Sequence, residues 1–185
     1  MKRFFYNAII ILSLSVLSSC NNKSETTKTA MKEETKTDSA FVNGSPCDIK
    51  LSSIHFTKAI NGADTLIKTE ANEKIVFKAG EKSDYFSDPD GKLSNTTAPM
   101  LLSKVDNTKP FTLTAKVTPE FTATGLYNAG VLYIYVNDSF YQKFCFEQDE
   151  RGNHRIVTVR TMGTSDDNNH DVVKEPSVYM KISSD

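Results

Sequence analysis

The chain has no tryptophan, three cysteines, three histidines and almost no net charge, since 22 lysines and arginines stand against 23 aspartates and glutamates in 185 residues. His55, His154 and His170 lie far apart with no cysteine or carboxylate at ligand spacing, which argues against a zinc site. A formal charge of -1 argues against nucleic acid or anionic lipid as a partner. A glycine-rich phosphate loop is missing, and no nucleophile–base–orienter set can be recognised. Past Ala40 no segment repeats apolar residues at i, i+3 and i+4, so a packed amphipathic helix is not expected; internal repeats are missing too. Phe4 to Leu17 is mostly apolar but too short to span a bilayer comfortably.

That short run sits behind Lys2 and Arg3 and ends in Leu17-Ser18-Ser19-Cys20, the pattern of a lipoprotein export signal. Residues 1–20 are therefore read as a signal peptide whose Cys20 becomes a lipidated N-terminus. Several acyl chains on one cysteine anchor far more firmly than the marginal hold of a single chain. The rest of the chain then faces a periplasm or the cell exterior, tied to a membrane of the cell envelope. Residues 21–46 form a Lys/Thr/Glu-rich tether with too little apolar content to offset its ordering entropy. Residues 47–185 are long enough for one domain with a real core. Lipidation leaves Cys47 and Cys145; a disulfide suits an oxidising envelope, but a buried free thiol at Cys145, mid-strand, is the preferred reading.

With 11 Phe and 7 Tyr, and threonine throughout, the domain leans to β structure. Ile49 to Phe56 reads as a first strand, Thr65–Lys68 and Lys74–Lys78 as short ones, and Ser87-Asp88-Pro89-Asp90-Gly91 as a turn. From Pro110, Phe111, Leu113, Ala115 and Val117 alternate with threonine and lysine. A three-strand meander then runs from Gly130 to Thr161, broken at Asn137-Asp138-Ser139 and Asp149–Asn153. Leu132, Ile134, Val136, Phe144, Phe146, Val157 and Val159 are assigned to its core face. Tyr133, Tyr135, Tyr141, Lys143, Glu147, Thr158 and Arg160 are assigned to an open face. Eight or more strands favour an all-β, two-sheet antiparallel jelly-roll sandwich.

Tyr127-Asn128-Ala129-Gly130-Val131, Lys143-Phe144-Cys145-Phe146-Glu147 and Ser165-Asp166-Asp167 carry a resemblance. Asp84 to Gly91 and Asn95 to Leu102 fit the same pattern upstream. From about Leu51 to Asp185 the chain resembles a bacterial and fungal domain of unknown function. Fungal members of that family are described as regulators of enolase, and it is similar to concanavalin A-like lectins and glucanases. Asn128 stands where the family more often has Asp, and Tyr141 where Trp is more usual. Family members continue through a further hairpin after Ser177 to Ile182, so the resemblance implies a sandwich incomplete at its C-terminus, with an exposed strand edge.

Related glucanases place three alternating carboxylates on one strand, with acid and nucleophile about 5 Å apart. Here Glu147 and Asp149 alternate, but Arg151 takes the third position and the run dissolves into a turn. No catalytic residue is assigned. Ser165 to Asp171 is rich in oxygen ligands; calcium near Asp166 is considered, but the row lacks the glycine and final Glu of an EF-hand loop, and a polar turn is preferred. The open face, with tyrosine bodies for the CH faces of a sugar and charged groups for its hydroxyls, suits a glycan-binding groove. Its candidate ligand residues are Tyr133, Tyr135, Tyr141, Lys143, Glu147 and Arg160, joined by Asp84 and Asp166 from neighbouring segments. The expected protein is a lipid-anchored, non-catalytic glycan binder with no cofactor. The alternatives are a hydrolase or lyase using Asp84, Asp88 or Asp166, and a regulator or scaffold that binds another protein.

Replacing Cys20 by alanine is expected to leave an unprocessed or soluble form. Membrane partitioning and intact mass check this; no change in either removes the lipoprotein assignment.

Overall fold

A period of two in apolar residues makes strands, and the placement of turns decides which strands pair. The computed structural model describes residues 43–185, which fall in one compact unit. The signal peptide, Cys20 and nearly all of the tether lie outside the described residues. Among the described residues there is no α-helix; a single 3-10 turn, Ala63–Thr65, interrupts thirteen strands. The first seven strands are β1 (Ser45–Lys50), β2 (His55–Ile60), β3 (Ile67–Glu70), β4 (Lys74–Phe77), β5 (Tyr85–Ser87), β6 (Ser94–Thr96) and β7 (Met100–Leu102). Six longer ones follow: β8 (Phe111–Val117), β9 (Ala129–Asn137), β10 (Phe140–Gln148), β11 (His154–Met162), β12 (Thr164–Val172) and β13 (Val178–Ser184).

The all-β expectation holds, and every pairing is antiparallel. The strands form five hydrogen-bonded ladders: β1-β2-β7, β12-β11-β10-β9, β13-β8, β3-β4 and β5-β6. Apolar side chains of β2, β5, β7, β9, β10 and β11 pack together and join three of these ladders, as in a β-sandwich. The run Ile49 to Phe56 is not one strand: Leu51 N donates to Ile54 O at 2.9 Å, closing a turn between β1 and β2. The β9–β10 turn stands as expected, with Ser139 N on Asn137 Oδ1 at 2.9 Å. In the β10–β11 turn, Asp149 Oδ1 accepts from Arg151 N and Asn153 N at 2.9 and 2.8 Å. Ser165 to Asp171 is no polar turn; it lies inside β12, paired along β11. A strand so rich in carboxylates suits a sheet edge, where charge discourages pairing with other chains.

Register decides the faces of the four-stranded sheet. Tyr141 stands opposite Tyr135 and Thr161, Lys143 opposite Tyr133 and Val159, and Cys145 opposite Val131 and Val157. All of these share one face, and Tyr141, Lys143, Cys145, Val157, Val159 and Thr161 are buried there. The outer face carries Leu132, Ile134, Gln142, Phe144, Thr158, Arg160 and Asp166, and Ile134 is 39% exposed. The expected orientation is thus reversed over most of the sheet, and Thr158 and Arg160 do not share a side with the tyrosines. The cause is β5: Tyr85 sets its ring edge-on to Tyr133, Tyr135 and Tyr141 at 6.3, 6.1 and 5.6 Å, and Phe86 packs on Cys145, Val157 and Val159. Tyrosine bodies are as apolar as phenylalanine, so a covering strand can bury them.

One end of the outer face is covered too. Phe146 is fully buried under Phe121, its ring 5.1 Å away and edge-on, and Phe121 stacks on His154 at 3.8 Å. Gln148 Nε2 holds this loop by donating to Thr122 O and Gly125 O at 2.8 and 2.7 Å. Gly130 is required here, because a Cβ would collide with Val117 Cγ1. Tyr127 adopts φ 57° and is pinned through its N–H to Gln148 O at 2.9 Å. The Tyr127-Asn128-Ala129-Gly130 motif is therefore a backbone device that brings the end of β8 onto β9.

Val159→Asp is expected to abolish cooperative folding, since an unpaired buried charge costs several kcal/mol. Ile134→Lys is expected to cost about 1 kcal/mol or less. Thermal melts decide; the reverse order would mean that the opposite face is the core.

Candidate functional site

Two arrangements of polar side chains remain, one on each side of the sheet. On the inner side Lys143 is 6% exposed, and its Nζ lies 3.2 Å from Asp84 Oδ1 and 5.7 Å from the centre of the Phe86 ring. A buried ammonium needs such a partner, and the ring face adds a further attraction. Tyr135 and Tyr85 both donate to Asp138 Oδ1, at 2.5 and 3.0 Å, while the buried Tyr141 hydroxyl has no partner. Burial pushes the Cys145 thiol up to about 12; it is a free thiol, as is Cys47, and no disulfide joins them.

Glu147 lies on the same inner side, two positions beyond Cys145. Burial pushes its carboxyl up to about 7; Lys143 pulls it down, and Asp84, Asp167 and Asp149 push it further up. Arg155, directly opposite, faces Asp149 instead, its Nε 2.9 Å from Asp149 Oδ2 in an ion pair without hydrogen-bond alignment. Burial also works against ionisation of Asp149, but hydrogen bonds from Asn153 and Arg151 and the charge of Arg155 hold that carboxyl below its ordinary value. Asp149 therefore caps a turn and is not aligned with Glu147 as a catalytic pair. Asp88 is likewise a turn residue, its Oδ1 accepting from Asp90 N at 3.3 Å.

On the outer side an open groove of about 420 Å³ runs across β10, β11 and β12. Phe144 supplies its apolar floor, and Gln142, Thr158, Arg160, Asp166 and Asn168 supply polar edges. Arg160 Nη2 lies 3.6 Å from Asp166 Oδ2, and Thr158 Oγ1 shares a hydrogen bond with His170 Nε2 at 2.8 Å. The volume of the groove falls in the range of small-ligand sites.

The eight expected ligand residues therefore divide. Tyr133, Tyr135, Tyr141, Lys143, Glu147 and Asp84 come together inside, mostly as core, and Arg160 and Asp166 pair outside. Asp84 and Asp166 stand on opposite sides of one sheet and do not share a site. Sequence reasoning missed Gln142, Phe144 and Asn168 as groove residues. Counting register through the Asp149–Asn153 turn would have revealed it, because that count sets Val159 beside Lys143 and Thr158 beside Phe144. Among the described residues no three His, Cys, Asp or Glu side chains gather closely enough to hold a metal. Asp166 and Asp167 are successive on a strand and point to opposite faces.

Glu147 makes a pH prediction with a definite sign. Its folded value of about 7 exceeds the ordinary 4.5, so the folded state holds the proton more tightly. The contribution of this one group to stability is full below pH ~4.5 and is lost as pH rises through ~7, by on the order of 2 kcal/mol once solvent screening is allowed for. Glu147→Gln should flatten this decline, as read from denaturant midpoints at pH 5 and pH 8. An unchanged slope would mean the carboxyl is solvated.

Curated proteins show no match to the chain. A solved structure described as a functionally unknown protein from Saccharomyces cerevisiae is similar in fold, with a TM-score of 0.58 and 19% identity. The likeness covers 69% of this chain and 66% of that one, so the chain spans just under two thirds of that protein's length. Residues 63–185, which hold the β5 cover, the four-stranded sheet and both polar arrangements, match the family described as "Protein of unknown function (DUF1349)", and the chain belongs to that family.

Proposed function

We propose that the protein is a lipid-anchored component of the cell envelope whose β-sandwich binds glycan through the outer groove without cleaving it. The observation that carries the reading is the groove of about 420 Å³, with the Phe144 ring between hydrogen-bonding edges from Gln142, Thr158, Arg160 and Asn168. A pyranose offers an apolar CH face and a rim of hydroxyls, and an aromatic floor with polar edges complements both. The resemblance to concanavalin A-like lectins, which carry ligand on a sheet, supports the same reading by analogy. The anchor rests on Leu17-Ser18-Ser19-Cys20.

A second reading draws on Glu147. A carboxyl near 7 beside the carboxylate of Asp84 is the kind of unequal pair that supplies a general acid in glycoside hydrolysis. It predicts released sugars, lost in Glu147→Gln.

A glycan array followed by product analysis separates the two. Binding without turnover is expected, weakened roughly ten-fold, or ~1.4 kcal/mol, in Gln142→Ala and in Phe144→Ala. Glu147→Gln is expected to bind like the parent. Binding that survives both groove substitutions would move the site elsewhere, and released sugars would favour the hydrolase.

A further inference from the structure

We infer that the outer groove selects uncharged glycans and rejects those bearing carboxylate or sulfate, an inference that rests on the glycan-binding reading above. The charges around the groove carry it. Two cations border it, Lys143 and Arg160, and each already faces a carboxylate. Lys143 contributes only its strand to this side, because its ammonium lies 3.2 Å from Asp84 across the sheet. Arg160 is the cation on the groove side, and Asp166 stands 3.6 Å from its Nη2. Asp167 borders the groove by its backbone alone, because it stands opposite Val159 and turns its carboxylate to the inner side with Glu147. The polar groups that remain, Gln142, Thr158 and Asn168, are neutral.

An anionic sugar therefore meets the Asp166 carboxylate and has to displace it from Arg160 to gain a partner. A neutral sugar has to displace nothing. It takes hydrogen bonds from amides and a hydroxyl and lays a CH face on Phe144, and the Arg160–Asp166 pair offers it one donor and one acceptor group side by side. Both partners of that pair are well exposed, with side chains 62% and 78% accessible, so the attraction holding them is weak. The discrimination is accordingly modest and sensitive to salt, and removing Asp166 should reduce it by freeing Arg160.

The test uses the full chain and an array of neutral hexose and N-acetylhexosamine oligosaccharides. The tightest neutral binder is then compared with its counterpart oxidised to the uronate at C6. The uronate is expected to bind about three- to five-fold more weakly at ~0.01 M salt, with the gap closing at ~1 M as the screening length falls from about 30 Å to about 3 Å. Asp166→Asn is expected to close most of that gap at low salt, with an unchanged melt showing that it folds. Uronate binding equal to or tighter than neutral binding would overturn the selectivity while leaving glycan binding intact. A gap that Asp166→Asn leaves untouched would overturn the assignment to this groove. A cooperatively folded protein that binds neither sugar would overturn the glycan-binding reading, and this inference with it.

Discussion

The three residues of β5 decide which side of the molecule is inside. Tyr85 is 1% exposed, sits edge-on against three tyrosines of the four-stranded sheet, and joins β2 and β7 to them through Ile60 and Met100. Its neighbours reinforce the placement: Asp84 holds Lys143, Phe86 packs on Cys145, Val157 and Val159, and Ser87 N donates to Ser165 Oγ at 2.9 Å. Four successive residues thus touch β9, β10, β11 and β12. Without that cover, the tyrosine and valine face would meet water as a broad apolar patch.

A lysine in the middle of this layer is an unusual choice. Desolvating an ammonium costs several kcal/mol, and Asp84 is half exposed, so the pair offsets only part of that cost. What the pair adds is a fixed position, because one alignment of β5 on the sheet satisfies the ammonium and slipping by a residue leaves it alone. The same crowding of charge is what unsettles Glu147. Desolvation and three carboxylates outweigh its attraction to Lys143, and the nearest guanidinium already serves Asp149.

The edge strand β12 reconciles two demands with one composition. Its carboxylates and amides blunt an edge that would otherwise invite pairing, and two of them, Asp166 and Asn168, form one wall of the outer groove. Ser165 is the exception that ties the strand down, buried and hydrogen-bonded to Thr161 Oγ1 at 2.8 Å and to Ser87 N.

Much of the fold was legible residue by residue. Period-two alternation marked β8 through β11, Asn137-Asp138-Ser139 and Asp149–Asn153 marked their turns, and the mid-strand position of Cys145 marked a buried thiol. These are local facts, dictated by which way successive side chains point and by which residues accept tight turns. The sidedness of the sheet was not local. Alternation divides a strand into two faces without saying which is covered, and tyrosine and lysine, amphipathic by nature, can be buried or exposed with equal chemical sense. Only the arrival of β5, more than forty residues upstream of the tyrosines it meets, settled that Tyr133, Tyr135, Tyr141 and Lys143 lie inside and that Phe144 and Arg160 look out. The sequence by itself determined the alternation of β8 through β11 and the turns between β9, β10 and β11; tertiary packing decided which face became core and which was left open to solvent.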